Sequence, residues 1–237
     1  MPLPRILFIL PHPDDESFPV GGTIARYAHS GAAEVFLYTL TRGEASRNAA
    51  ALGITREEIA KRRSLEVKEA VRILGIKEHW QGDYPDGKLR DLDPRILEQD
   101  FERLVRSLEP SLVITYDVQG GSVHPDHIVT HHAVKRVFVC LREEFAWLRR
   151  LACFGIPEER VKHWPRKIFG LSPDRIHAII NVKDFKEYDR SAVMAHVSVR
   201  RDVVEHNYDE WMFWDEEYFT FFQESFNPPV EDLLHGL

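Results

Sequence analysis

A short apolar run, Ile6-Leu7-Phe8-Ile9-Leu10, empties directly into Pro11-His12-Pro13-Asp14-Asp15-Glu16. An unbroken apolar stretch of this length predicts a strand buried on both faces, as in a parallel sheet covered by helices. Three acids cannot follow a buried strand unless its end opens on a cleft or meets a cation, because unpaired buried carboxylates are costly. In open α/β sheets that cleft lies at the carboxyl ends of the strands. A second cluster, His124-Pro125-Asp126-His127, carries the same residue types.

The rest of the chain alternates strand-like and helix-like segments. Strands are expected at residues 5–10, 34–40, 76–80 and 112–116, with two further candidates at 167–171 and 176–182. Helices are expected from Gly21 to His29, from a Thr55 cap to Gly75, from Pro94 to Leu108, from the second cluster to about Leu148, and from Asp184 to Ala195. Thr55 and Glu58 have capping-box spacing, and Gly75 is a C-terminal stop. Between them Ile59, Leu65, Ala70, Ile73 and Leu74 are spaced for one buried stripe. Residues 82–92 read as a loop around Pro85-Asp86-Gly87. The alternation predicts a Rossmann-like three-layer α/β/α fold with a mostly parallel sheet. One domain over residues 1–237 is expected, with 120–175 as an excursion over the active edge. The aromatic tail, including Trp211, Phe213, Trp214, Tyr218, Phe219, Phe221 and Phe222, is read as packing or a subunit contact. A homo-oligomer is compatible with it.

Composition excludes several classes. A net charge of −7 argues against nucleic acid as a partner, since phosphate contact needs a basic surface. No apolar run approaches the roughly 20 residues of a membrane span. The first apolar run is too short for a signal peptide. Cys140 and Cys153 make neither a disulfide framework nor a zinc knuckle, which points to a reducing cytoplasm. A dinucleotide site is excluded too, because three acids stand where Gly-x-Gly-x-x-Gly would cradle a pyrophosphate.

His12 and Asp15, three apart in a tight loop, can ligate one ion, and a third ligand can come from His127 or His124. Hydrolytic zinc sites use three N/O protein ligands and keep one position open. Pro13 and Pro125 stiffen the ligand loops and reduce the entropy lost on ordering them. One zinc per chain is the expected cofactor, while iron(II) and cobalt accept similar ligands.

The two motifs closely resemble those of the zinc-dependent N-acetylglucosaminyl deacetylases, the LmbE-like or PIG-L family. Thr41-x-Gly43-Glu44, Arg63-x-x-Glu66, Leu74-Gly75, Asp86-Gly87 and Ala195-His196-x-Ser198 resemble further family segments, so the similarity spans about residues 4–200. The opening from Ile9 to Phe18 is most similar to the bacillithiol-type deacetylases. The resemblance implies zinc ligands His12, Asp15 and His127, with Asp14 as general base for the attacking water. It implies His124 as general acid or charge stabiliser, oriented by Asp126. Arg63 would hold a substrate oxygen or tune His124, with Arg62 as its near rival. Arg47, Asn48 and Asp86 are further candidates for sugar contacts. Glu16 is read as a structural acid satisfied by backbone donors. Val199 stands where the family has Gln, which leaves that late segment without an assigned role, and Arg190 stands where it often has Lys. His196 is read either as lining the site or as a core or surface histidine on a helix face.

The implied substrate is a small amino sugar, with N-acetylglucosaminyl-malate the best single expectation because nearby arginines suit an anionic aglycone. Three alternatives stay open. An amidase acting on sugar–thiol conjugates would share the site. A phosphoesterase would favour a two-metal carboxylate cage. A non-catalytic zinc-dependent sugar-binding module would need neither Asp14 nor His124.

Overall fold

The computed structural model describes residues 2–162, 168–199 and 213–237. The first apolar run is strand β1 (Arg5–Leu10), buried along both faces. Ile6, Phe8 and Leu10 enter one hydrophobic core, while Leu7 and Ile9 enter another. Two-sided burial of this kind requires helices on either side of the sheet.

The other strands are β2 (Glu34–Thr41), β3 (Glu78–Tyr84), β4 (Leu112–Tyr116), β5 (Arg150–Gly155), β6 (Ala178–Asn181) and β7 (Glu216–Phe221). They form one seven-stranded sheet in the order β3-β2-β1-β4-β5-β7-β6. Only β7 runs against its neighbours; the pairings from β3 through β5 are parallel. The helices are α1 (Gly21–His29), α2 (Asn48–Ala51), α3 (Arg56–Leu74), α4 (Pro94–Leu108), α5 (Gly120–Val123), α6 (Pro125–Arg142), α7 (Glu158–Val161) and α8 (Lys186–Ala195). Helices α1, α3 and α8 cover one face of the sheet, and α4 and α6 cover the other. The expected three layers are therefore present. From β1 the chain steps outward to β2 and β3, then crosses back to place β4 on the other side of β1. This reversal sends the helices that follow β1 and β4 to opposite faces of the sheet and makes the β1–β4 edge a switch point.

Several boundaries differ from the sequence expectation. Strand β3 runs on to Tyr84, into the stretch expected as loop. Helix α6 stops at Arg142, short of Leu148. The next buried stretch, Leu151-Ala152-Cys153-Phe154, is strand β5. Being covered on both faces, it lacks the alternation that marks a strand in sequence. The candidate at 167–171 yields only a bridge between Pro157 and Leu171, and Lys167 lies outside the described residues. The aromatic tail supplies β7, inserted between β5 and β6, while Trp211 lies outside the described residues. Helix α3 has the expected capping box and a left-handed Gly75. Its inner face differs: Leu65 is 67% exposed, whereas Arg63 and Glu66 point inward. Asp14 pairs with the buried Arg63, and the Ser198 N–H and hydroxyl donate to the buried Glu66.

Gly21 and Gly22 begin α1 because other groups crowd its first turn. A Cβ on Gly21 would lie 2.3 Å from Asp189 Oδ1, and one on Gly22 would lie 2.7 Å from Glu217 Oε1. Glu217 accepts the N–H groups of Gly22 and Thr23 at 3.0 Å, capping a helix whose Val20 offers no side-chain cap. Burial, reinforced by the Glu217 charge, holds Asp189 well above the usual carboxylate range. An acid with a raised folded-state pKa favours folding most where the unfolded chain is also protonated, below about pH 4, and that contribution is lost as pH rises through the folded value. Asp189→Asn removes this titration. Its urea midpoint should change less between pH 5 and pH 8 than that of the parent chain; an unchanged pH slope contradicts the burial argument.

Candidate metal centre

The loop after β1 turns tightly on itself: Asp15 N–H donates to the His12 carbonyl at 3.3 Å, and Ser17 N–H to the Asp14 carbonyl at 2.9 Å. The loop after β4 runs through Gly120 and Gly121, and His124 then caps α6 by accepting the Asp126 N–H at 3.2 Å. Because β1 and β4 pair directly, both loops open on the same edge.

Three donors converge there. His12 Nδ1 lies 3.2 Å from His127 Nε2 and 3.4 Å from Asp15 Oδ2, and His127 Nε2 lies 3.5 Å from Asp15 Oδ1. A tetrahedral ion with bonds of about 2.0–2.1 Å needs ligand separations of about 3.3–3.4 Å. The donor set fits zinc in both spacing and chemistry. His12, His124 and His127 also present nitrogens within 4.8 Å of one another, and His12 forms a further group with Asp86 and Asp126.

The outer contacts choose which nitrogen of each ring faces the ligand group. His127 Nδ1 meets the Gly120 carbonyl at 3.1 Å, leaving Nε2 for a metal. Gly120 has φ 61°, and a Cβ there would lie 2.8 Å from the His127 Cβ, so glycine is required at this close approach. His12 Nε2 lies 3.2 Å from Asp86 Oδ1 and 3.3 Å from Asp126 Oδ2, leaving Nδ1 for a metal. Asp15 accepts the Tyr116 hydroxyl at 2.5 Å and the His12 N–H at 2.8 Å.

The charges are strongly coupled to burial. Burial opposes a charge on His12, but contacts with Asp126, Asp15 and Asp86 outweigh it and raise its pKa well above the ordinary range. Burial alone would raise Asp15; His127, His12 and Tyr116 instead hold it far below the carboxylate range. Burial pushes His127 down to about 4, which keeps the ring neutral and able to ligate. Three carboxylates around one imidazole make a strongly negative pocket that favours a cation.

Asp14 stands beside this group in a left-handed conformation, φ 102°. Arg63 Nη2 contacts its carboxylate at 2.7 Å. Burial, partly offset by Arg63, pushes Asp14 up to about 6. The His124 ring lies 4.7 Å from His12 and 4.9 Å from His127, centroid to centroid. Its Nδ1 is occupied as an acceptor, so the neutral ring carries its proton on Nε2. Burial and the neighbouring His12 lower its pKa.

Other expected site residues are placed differently. Asp126, expected to orient His124, turns its carboxylate to His12 and to the N–H groups of Gly87 and Leu89; only its backbone reaches His124. Asp86 is tied to His12 and to the Ala45 N–H at 2.8 Å. Arg63, expected at a substrate oxygen, is 5% exposed and commits its guanidinium to Asp14 and the carbonyls of Pro13 and Gly43. Arg47 is exposed just before α2, and no hydrogen bond ties it to the cluster among the described residues. Tyr116 was not anticipated; a polar-tipped aromatic ending a buried strand beside the first motif was the available signal.

The family model described as PIG-L, GlcNAc-PI de-N-acetylase, matches residues 7–138, more than half of the chain. The chain belongs to the PIG-L family. Similar proteins include the 1D-myo-inositol 2-acetamido-2-deoxy-alpha-D-glucopyranoside deacetylase of Kineococcus radiotolerans, 33% identical over 57% of this chain and 45% of the relative. The Bacillus anthracis protein named probable N-acetyl-alpha-D-glucosaminyl L-malate deacetylase 2 is 38% identical over 59% of this chain and 61% of the relative. The chain thus spans about half to three-fifths of the length of these two. Among solved structures, the N,N'-diacetylchitobiose deacetylase of Pyrococcus horikoshii matches with TM-score 0.67 at 20% identity, over 92% of this chain and 83% of that one. The 4-carboxy-2-hydroxymuconate hydratase of Pseudomonas putida matches with TM-score 0.69 at 16% identity, over 98% and 100%. At these identities the structural likeness concerns the fold.

In this PIG-L family member, Asp86→Asn and Asp126→Asn should each weaken zinc binding about 10- to 100-fold without unfolding the chain, because both anchor His12 from behind. Competition with a chromophoric chelator measures the affinity. Parent-like affinity in both variants contradicts the assigned orientation of His12.

Proposed function

We propose that this protein is a metal-dependent N-deacetylase that hydrolyses the acetamide of an N-acetylglucosaminyl compound, with zinc as its ion. The observation that carries the reading is the convergence of His12, Asp15 and His127 beside an Asp14 whose carboxylate is paired with Arg63. His12 Nδ1, Asp15 and His127 Nε2 would hold the ion. When bound, it supplies an acidified water, with pKa about 7, and a Lewis acid for the acetyl carbonyl.

The chain's own groups do the rest. Asp14 takes the proton of the attacking water and passes it to the amine nitrogen as the C–N bond breaks, a task suited to a carboxylate raised towards neutrality. His124 presents Nε2–H to the oxygen on which charge develops, and the neutral ring of lowered pKa acts as a hydrogen-bond donor. Arg63 keeps Asp14 aimed at the site.

For the aglycone, we favour malate. The relative named for the malate compound is 38% identical, and Arg47 is an exposed cation before α2 that suits a carboxylate. Inositol is the second reading, supported by the relatives named for it. We place the reaction in the cytoplasm: Cys140 and Cys153 are free thiols, and no helix among the described residues is long and apolar enough to cross a membrane.

Incubation of the zinc form with N-acetylglucosaminyl-malate, N-acetylglucosaminyl-inositol and a sugar–thiol conjugate, followed by amine detection, tests the reading. Free amine from the malate compound is expected to appear fastest, and no amine from any of them contradicts deacetylation. Asp14→Asn should keep its bound zinc and lose about 10²- to 10⁴-fold in turnover. Turnover near the parent rate removes Asp14 from the base role.

A further inference from the structure

Asp14 holds a backbone conformation, φ 102°, that residues with a side chain rarely adopt. Such a conformation persists only where its surroundings fix it. Arg63 fixes the carboxylate. The peptide is fixed separately: Asp14 N–H donates to Glu16 Oε2 at 3.0 Å. The other Glu16 oxygen accepts the Ser17 hydroxyl at 2.6 Å and meets His196 Nε2 at 2.6 Å.

His196 ends α8, far from the first loop in sequence and outside the residues matched by the family model. Its side chain and that of Glu16 are both 0% exposed. His196 Nδ1 has no hydrogen-bond partner among the described residues, so the contact with Glu16 is the polar interaction the ring makes. The segment is itself pinned: Ser198 donates its N–H and hydroxyl to Glu66 at 2.9 and 2.5 Å. Glu66 shares the inner face of α3 with Arg63. Wholly buried polar pairs are a weak source of stability, because desolvation opposes the gain from pairing. Fixing a geometry explains such a pair better.

We propose that His196 is a positioning residue: through Glu16 it holds the Asp14 peptide in its left-handed conformation and so keeps the Asp14 carboxylate directed at the metal centre. The catalytic part of this inference rests on the reading of Asp14 as proton acceptor, whereas the positioning part does not. The late segment, which departs from the family at Val199, thereby gains a role.

The test uses His196→Ala, His196→Gln and Glu16→Gln in the full-length zinc form. His196→Ala should retain one zinc per chain and lower kcat about 10²-fold, with KM nearly unchanged. His196→Gln, which can still donate to Glu16, should recover most of that loss. A readout independent of turnover is the crystal structure of His196→Ala, in which Asp14 should leave positive φ. Should His196→Ala not fold, Glu16→Gln gives the same two readouts. Parent kcat per folded molecule together with Asp14 still at positive φ overturns the proposal. If the parent chain releases no amine from any substrate, the deacetylase reading fails, and the Asp14 conformation in the variants still decides the positioning claim.

Discussion

His12 Nδ1, His127 Nε2 and the Asp15 carboxylate meet within 3.5 Å only because β1 and β4 lie side by side with their carboxyl ends on one edge. That neighbourhood follows from the chain reversal between β3 and β4, which places a switch point in the middle of the sheet. The two hydrophobic cores, the helix layers and the tight turns on either side all fix those two strand ends. The concentration of charge at the edge is then unavoidable. Asp15, Asp86 and Asp126 surround His12, and a neutral His127 completes the donor group.

Beyond the candidate ligands, the chain devotes many buried contacts to aiming them. Asp86 and Asp126 hold one side of His12, the Gly120 carbonyl holds His127, and Tyr116 holds Asp15. Arg63 and Glu16 grip the two ends of Asp14. Metal sites depend on such outer partners for ring orientation and ligand basicity. The fold itself does not decide the chemistry: a hydratase and a deacetylase share it at TM-scores of 0.69 and 0.67. The reaction must be argued from the donors and from Asp14.

Much of this was legible in the sequence because it is local. The run into Pro11-His12-Pro13-Asp14-Asp15-Glu16 marks a buried strand and a polar strand end at once. The capping box of α3 and its Gly75 stop are likewise short-range signals. What was not legible depends on distant contacts. Strands β5 and β7 are strands because of their neighbours, and β5 shows no alternation of its own. The resemblance pairs Asp126 with His124; the turn into α6 brings only the Asp126 N–H to that ring and sends the carboxylate to His12. Arg63 stands in a segment that resembles the family's, but that its partner is Asp14 depends on how α3 crosses the first loop.

The most direct test is anomalous diffraction from crystals of the zinc-loaded protein, which locates the ion and its ligands. One zinc bound by His12 Nδ1, Asp15 and His127 Nε2 is the predicted result. Zinc bound through His12 Nε2 with Asp86 and Asp126, or absent from between the two loops, would contradict the account.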